Sequence, residues 1–163
     1  MITKIPGSAL VDLSDAGMVF TDEDSRHIIR QLLLILKEVH SAGVIHRDIK
    51  PDNIMYDPST KKVGLVDFDQ KFTRGYRAPE VILFPSRPAQ APSDAWGVGI
   101  VCYQLINRDY PFPTPNDTLA EKYRPIQKNC SPERIDFINR LLDKNPDTRM
   151  TIEQALNHDW LKK

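Results

Sequence analysis

Residues 46–53 read His-Arg-Asp-Ile-Lys-Pro-Asp-Asn and are the most informative stretch of the chain. Four further segments follow in order: Asp67-Phe68-Asp69, Thr73-Arg74-Gly75-Tyr76-Arg77-Ala78-Pro79-Glu80, Asp94-x-Trp96-x-x-Gly99, and Asn145-Pro146-Asp147-Thr148-Arg149. Taken alone, each charged segment is most simply a solvated loop. Their combination and order carry more information than any single residue.

The sequence before residue 46 predicts a long, well-buried helix. Thr21 can cap it, and the acidic turn Asp22–Asp24 suits the positive end of a helix. Apolar residues then recur at helical spacing as far as Val39, and Gly43 offers a left-handed stop. We therefore predict a helix over about 22–42.

Three more helices and a hairpin are predicted farther on. Two short β-branched segments, 44–56 and 62–68, flank a turn at 57–60 and predict a β-hairpin. The central helix has apolar residues on nearly every face, which is typical of the middle of a core. This central helix is predicted over 93–106, with Ser93 as its cap. The other two helices are predicted over 131–142, beginning with Ser131 and Pro132, and over 151–157, beginning with a capping box of Thr151 and Gln154.

Composition indicates an ordinary globular domain. Hydrophobic residues make up 40% and charged residues 27% of 163, and 22 basic residues balance 22 acidic ones. This balance gives no long-range attraction to nucleic acid or to an anionic membrane. The two cysteines predict buried free thiols rather than a disulfide scaffold. With no signal peptide or transmembrane stretch, we expect a cytoplasmic or nuclear protein.

Together, the five segments resemble the conserved motifs of the eukaryotic serine/threonine protein kinases. The closing residues 140–161 are most similar to the calmodulin-dependent kinase group. The resemblance implies a mainly α fold: a kinase-like large (C-terminal) lobe, a helical bundle with a small β-hairpin, and no small lobe. The implied domain is a truncated kinase-like domain over 1–163, with a hinge at about 1–7 and the large lobe at about 8–163.

The resemblance also implies catalytic and metal-binding roles. Asp48 would accept the proton of the substrate hydroxyl, and Lys50 would steady the γ-phosphate of ATP. A lysine at this position is the serine/threonine form of the motif. Thr73 would brace both side chains. Asn53 and Asp67 would hold Mg²⁺, which prefers hard oxygen ligands.

Further residues match nucleotide-binding and structural positions of the family. Asp94 would bind the backbone of the loop at 46–48, and Arg149 would pair with Glu80. His46 and Phe68 would stack in a column of apolar side chains. The implied ATP-binding residues are Thr3, Ile5, Leu10 and Met55, and the implied structural residues are His46, Arg47, Phe68, Glu80, Asp94 and Arg149. We expect Leu10, Met55 and Phe68 at or near solvent, on the face that a small lobe would cover.

Several family features are missing. No glycine-rich phosphate loop, strand lysine or partner glutamate precedes residue 46, and Asp69 replaces the glycine of the D-F-G motif. Only eight residues, 70–77, separate that motif from Ala78-Pro79-Glu80, so a conventional activating phosphosite is absent.

These features leave three hypotheses open. The first is an enzyme that transfers phosphate from ATP·Mg to a serine or threonine of a protein, with its small lobe supplied elsewhere. The second is a catalytically silent interaction module, and the third is a truncated gene product. The expected partners are a protein substrate, a kinase small lobe or partner kinase, and a second copy of the chain, but neither nucleic acid nor membrane.

Overall fold

The computed structural model describes residue 5 and residues 7–67, 75–120, 122–126 and 129–163. In chain order the elements are β1 Ser8–Ala9, α1 Leu10–Asp15, α2 Asp22–Ser41, a 3₁₀ turn Pro51–Asn53, β2 Ile54–Asp57, β3 Lys62–Leu65, α3 Pro79–Leu83, α4 Ala91–Asn107, α5 Pro115–Ala120, α6 Pro132–Leu141, α7 Ile152–Leu156 and a 3₁₀ turn Asp159–Lys162. The predicted mainly α lobe with a small sheet is confirmed. Within these described ranges, no helix has the length and apolar character needed to cross a membrane.

Helix α2 forms where the capping signals place it. The Thr21 hydroxyl accepts a hydrogen bond from the Asp24 N–H at 3.0 Å, and the Asp24 carboxylate accepts one from the Thr21 N–H at 3.1 Å. This reciprocal pair satisfies two backbone donors that would otherwise lack partners. The helix ends at Ser41, one residue before the predicted end, and Gly43 takes the left-handed φ of +79° that stops it.

Helix α4 is the centre of the core, as its all-round apolar pattern predicts. Its fully buried side chains include Trp96, Val98, Ile100 and Cys102. The predicted Ser93 cap is wrong, because the helix begins at Ala91 with Gln90 at the N-cap. The Ser93 hydroxyl instead donates to Oε1 of Glu80 at 3.3 Å, so a distant partner outweighs the local capping preference.

The hairpin is confirmed, but it is shorter than predicted and gains a third strand. β2 and β3 pair antiparallel with Ile54 opposite Leu65, and β1 pairs antiparallel with β2. The predicted strand over 44–56 is wrong for residues 44–53, which form a loop and a 3₁₀ turn. The left-handed φ of +77° at Arg47 cannot belong to a strand.

The late helices begin at their predicted caps. The Ser131 hydroxyl accepts from the Arg134 N–H at 3.2 Å, and Thr151 and Gln154 form a capping box. Both cysteines are free, but only Cys102 is buried; Cys130 is half-buried. Burial raises the pKa of the Cys102 thiol to about 11, so it stays protonated and inert at neutral pH.

Helix α4 positions the loop at 46–53 through a close contact at Gly97. A methyl group added there would lie 2.7 Å from Cβ of Ile49 and 3.1 Å from its carbonyl oxygen. Only a residue without a side chain lets this loop lie so close to the central helix.

We expect Gly97→Ala to lower the free energy of unfolding by about 1–2 kcal/mol. The added methyl overpacks this close contact at a cost of about 2–3 kcal/mol, and the preference of a helix for alanine over glycine offsets about 1 kcal/mol of it. Urea unfolding measures it, with Ser41→Ala at an exposed position of α2 as the control. A Gly97→Ala chain as stable as wild type would show that Ile49 does not pack as described.

Candidate active site

The site is built on a buried carboxylate in the first turn of α4. Asp94 is 1% exposed. Its Oδ2 accepts a hydrogen bond from the His46 N–H at 2.9 Å, and its Oδ1 accepts one from the Arg47 N–H at 2.9 Å. Hydrogen bonds to a charged acceptor are roughly twice as strong as neutral ones. The contact that the resemblance implied for Asp94 is therefore present.

A second histidine joins this anchor, and the sequence reasoning missed it. Nε2 of His40 lies 2.8 Å from Oδ2 of Asp94. His40 is in the last turn of α2, four residues after the buried Leu36, so it falls on the face that carries the core side chains. That spacing was the signal that could have identified it.

His46 ties the same loop to the end of the hairpin. Its Nδ1 accepts from the Asp48 N–H at 3.1 Å, so its Nε2, 2.6 Å from the Val66 carbonyl oxygen, must be the donor. The two contacts fix the ring tautomer and orient the backbone of Asp48.

Asp48 lies at the centre of the polar cluster and is 2% exposed. Nζ of Lys50 is 3.4 Å from Oδ2 of Asp48, and Nδ2 of Asn53 donates to the same oxygen at 3.2 Å. Nδ2 of Asn53 also donates to the Asp48 carbonyl at 2.9 Å. Because both partners are acceptors, the amide orientation is determined, and Oδ1 of Asn53 is the atom left to face a cation.

The hairpin brings Asp67 to the same end of the sheet as Asn53. The Val66 N–H donates to the Asn53 carbonyl at 3.0 Å, and Asp67 follows directly, exposed and with a left-handed φ of +60°. An amide oxygen and a carboxylate are suitable ligands for Mg²⁺, which usually keeps water and phosphate as its other ligands. Among the described residues, no group of three or more His, Cys, Asp and Glu side chains is placed to hold a metal ion.

The predicted nucleotide face is only partly described. Thr3, Phe68 and Thr73 lie outside the described residues. Ile5 and Met55 are half-buried. Leu10, which we expected at or near solvent, is 1% exposed, and that expectation is wrong. It begins α1, which packs against β2 and the 3₁₀ turn Pro51–Asn53, so the chain itself covers Leu10.

The last anchor is the implied pair of Glu80 and Arg149. Nη1 and Nη2 of Arg149 lie 2.7 and 2.8 Å from the two carboxylate oxygens of Glu80. Arg149 also donates to the carbonyls of Pro92 and Asp143, and its guanidinium lies 5.1 Å from the Trp96 ring centroid. The Arg149 side chain is 0% exposed and that of Glu80 22%. Arg149, which lies shortly before α7, therefore links α3 through Glu80 and the start of α4 through the Pro92 carbonyl.

A family model described as "Protein kinase domain" matches residues 2–161. The chain belongs to the protein kinase family. Similar curated kinases include calcium/calmodulin-dependent protein kinase type 1B of Homo sapiens and of Rattus norvegicus, each 30% identical over 180 residues and covering 96% of this chain and 52% of the relative. The type 1 kinase of Caenorhabditis briggsae is 29% identical and covers 96% of this chain and 50% of the relative.

Among solved kinase structures, "Rad53 1-466 in complex with AMP-PNP" superposes with a TM-score of 0.87 at 32% identity, covering 96% of this chain and 45% of that one. These relatives confirm the predicted eukaryotic serine/threonine type and its likeness to the calmodulin-dependent kinases. This kinase chain spans about half the length of the curated relatives it matches.

We expect Arg149→Ala to destabilise the kinase lobe by about 3–5 kcal/mol, because it leaves the Glu80 carboxylate without its buried partner. The matched control is Arg140→Ala, because the Arg140 side chain is 62% exposed and pairs with the exposed Asp136. That change should alter stability by less than about 0.5 kcal/mol. Denaturant midpoints compare the two, and equal midpoints would contradict the structural role of Arg149.

Proposed function

We propose that this chain is the large lobe of a serine/threonine protein kinase that uses ATP and Mg²⁺ to phosphorylate hydroxyls of a protein substrate. The observation that carries the proposal is the environment of Asp48. Its carboxylate lies between the Lys50 ammonium and the Asn53 amide, on a loop whose backbone is bonded to Asp94. Phosphoryl transfer depends mainly on positioning and charge neutralisation, which this arrangement supplies.

Each residue has a distinct part in the proposed reaction. Asp48 accepts the proton of the substrate hydroxyl as that oxygen attacks the γ-phosphorus; the bond from the γ-phosphorus to the β–γ bridging oxygen breaks, and ADP leaves. Lys50 lies beside Asp48 and stabilises negative charge on the transferred group. Asn53 and Asp67 would hold Mg²⁺, and the ion would neutralise phosphate charge. Thr73 braces Asp48 and Lys50 in this proposal.

The nucleotide binds above the same surface. Ile5 and Met55 would contact the adenine ring, Thr3 is assigned to the hinge, and Leu10 would support the contact residues from within the core. Residues 1–7 form the hinge and 8–163 the large lobe. Adenine is normally held between two lobes, so this lobe alone offers half of a pocket and no backbone to cover the phosphates.

A silent interaction module is the second candidate. Asp69 in place of the D-F-G glycine and the short segment at 70–77 favour it. Such a module would bind a kinase small lobe, a partner kinase or a second copy through the nucleotide face. Because Leu10 is buried, the nucleotide face exposes one large apolar side chain fewer than the sequence analysis predicts. We therefore expect self-association through this face to be weaker.

We expect the isolated chain to phosphorylate a serine peptide negligibly in the presence of ATP and Mg²⁺, because half of the nucleotide pocket is missing. A radiometric assay with purified protein tests this. Robust phosphate incorporation that Asp48→Asn abolishes would contradict it.

A chimera separates the enzyme from the silent module. The small lobe of human calcium/calmodulin-dependent protein kinase type 1B would be fused before residue 1. We expect the chimera to phosphorylate serine and threonine peptides but not a tyrosine peptide. Asp48→Asn should reduce the rate about 10²- to 10⁴-fold, the usual contribution of a general base. Asp12→Asn, at an exposed carboxylate of α1, is the control and should not alter it. A folded, nucleotide-binding chimera without activity would favour the silent module.

A further inference from the structure

One cavity of the lobe is lined by none of the residues assigned to the proposed reaction. It has a volume of about 430 Å³. Three parts of the fold line it: the end of α2 at 37–41, the start of α4 at 91–95, and the segment 149–153 that leads into α7. Ligand cavities commonly range from about 300 to 1,000 Å³, so a one- or two-ring molecule fits.

The walls of this cavity are mainly apolar. Helix α4 contributes only small side chains, Ala91, Pro92 and Ala95, and the opposite wall contributes Met150 and Ile152. A thioether makes favourable contacts with aromatic ring edges, and small side chains leave room for a flat ring. The walls therefore suit an aromatic molecule.

The charges at the mouth favour a neutral ligand. Nζ of Lys37 and Oε1 of Glu153 are 3.9 Å apart, and both side chains are largely exposed. Their opposite charges offset each other, so the mouth attracts neither an anion nor a cation.

One polar group in the wall can select a ligand. His40 lines the cavity, and its Nε2 is engaged by the Asp94 carboxylate at 2.8 Å. Since a carboxylate accepts, Nε2 carries the proton, and in the neutral ring Nδ1 is an acceptor. Nδ1 makes no hydrogen bond to any of the residues that the structure describes. An N–H or O–H group of a ligand can supply one.

The same walls touch both anchors of the active site. His40 shares Oδ2 of Asp94 with the His46 N–H, one of the two loop amides that this carboxylate holds. Arg149, also in the wall, holds Glu80. A molecule that moves His40 changes the hydrogen bonding of Asp94, and through it the catalytic loop.

We propose that this cavity binds a small neutral aromatic molecule bearing one N–H or O–H donor, and that its occupancy is coupled to the catalytic loop through His40 and Asp94. By linkage, such a ligand and any ligand of the catalytic loop alter each other's affinity by the same factor. The proposal goes beyond phosphoryl transfer and does not require the isolated lobe to be active.

The test is an NMR titration of the ¹⁵N-labelled chain with indole as the probe and N-methylindole as the matched compound without a donor. Indole should shift the amide resonances of Ala95 and Ile152 saturably. It should also shift those of His46 and Arg47, although neither residue lines the cavity. N-methylindole should bind about fivefold more weakly, the effect of one lost hydrogen bond.

Two variants locate the binding. Ala91→Phe fills the cavity and should abolish the shifts, whereas Ala16→Phe, on an exposed surface after α1, should leave them unchanged. Three results would each overturn the proposal: no saturable shifts up to the solubility of indole, equal affinity for the two compounds, or cavity shifts without any change at His46 and Arg47. The comparison of indole with N-methylindole uses the wild-type chain, so it still tests the proposal if the Ala91→Phe chain folds poorly.

Discussion

The carboxylate of Asp94 is the interaction on which the active site depends. A loop that carries Asp48, Lys50 and Asn53 has few backbone hydrogen bonds of its own, yet it must hold three side chains within a few ångströms of one another. Asp94, in the first turn of the largely buried helix α4, meets this requirement by accepting hydrogen bonds from the N–H groups of His46 and Arg47. Because α4 is packed in the core, its Asp94 side chain holds the loop in one position. The close contact at Gly97 holds Ile49 in place.

The backbone around this anchor is held in uncommon conformations. Arg47 and Asp67 both have positive φ without being glycine. Arg47 directly precedes Asp48, and Asp67 is itself proposed to hold Mg²⁺. Such conformations cost free energy and persist only where surrounding contacts enforce them. Asp94 holds the backbone N–H of Arg47, and the His46 ring holds the carbonyl of Val66, the residue before Asp67. A bidentate ion pair, Glu80 with Arg149, secures the next segment to the same end of α4.

Local signals predicted those parts of the fold that local interactions decide. The predicted capping residues of α2, α6 and α7 and the predicted turn of the hairpin are correct because their hydrogen-bond partners lie within a few residues in the sequence.

The predictions that fail depend on contacts between residues distant in sequence. Ser93 is not a cap because its partner, Glu80, is distant in sequence. The β-branched segment 44–53 is a loop because Asp94 fixes it in another conformation. Leu10 is buried because α1 packs against the hairpin. No periodic pattern in the sequence predicts this packing. The site residues were predicted from the resemblance. His40 was not predicted, because its role depends on a contact with Asp94, which is distant in the sequence.

Amide hydrogen exchange at His46 and Arg47 tests most directly whether Asp94 holds the catalytic loop. In the wild-type chain both amides should exchange as slowly as amides of the core helices. Asp94→Asn replaces one accepting oxygen by a donor, so at least one of the two amides should exchange at least about tenfold faster, while Ile138 in α6 keeps its protection. Asp12→Asn serves as the control for a change of charge. Unchanged exchange at both amides in a folded Asp94→Asn chain would contradict the central role of this carboxylate.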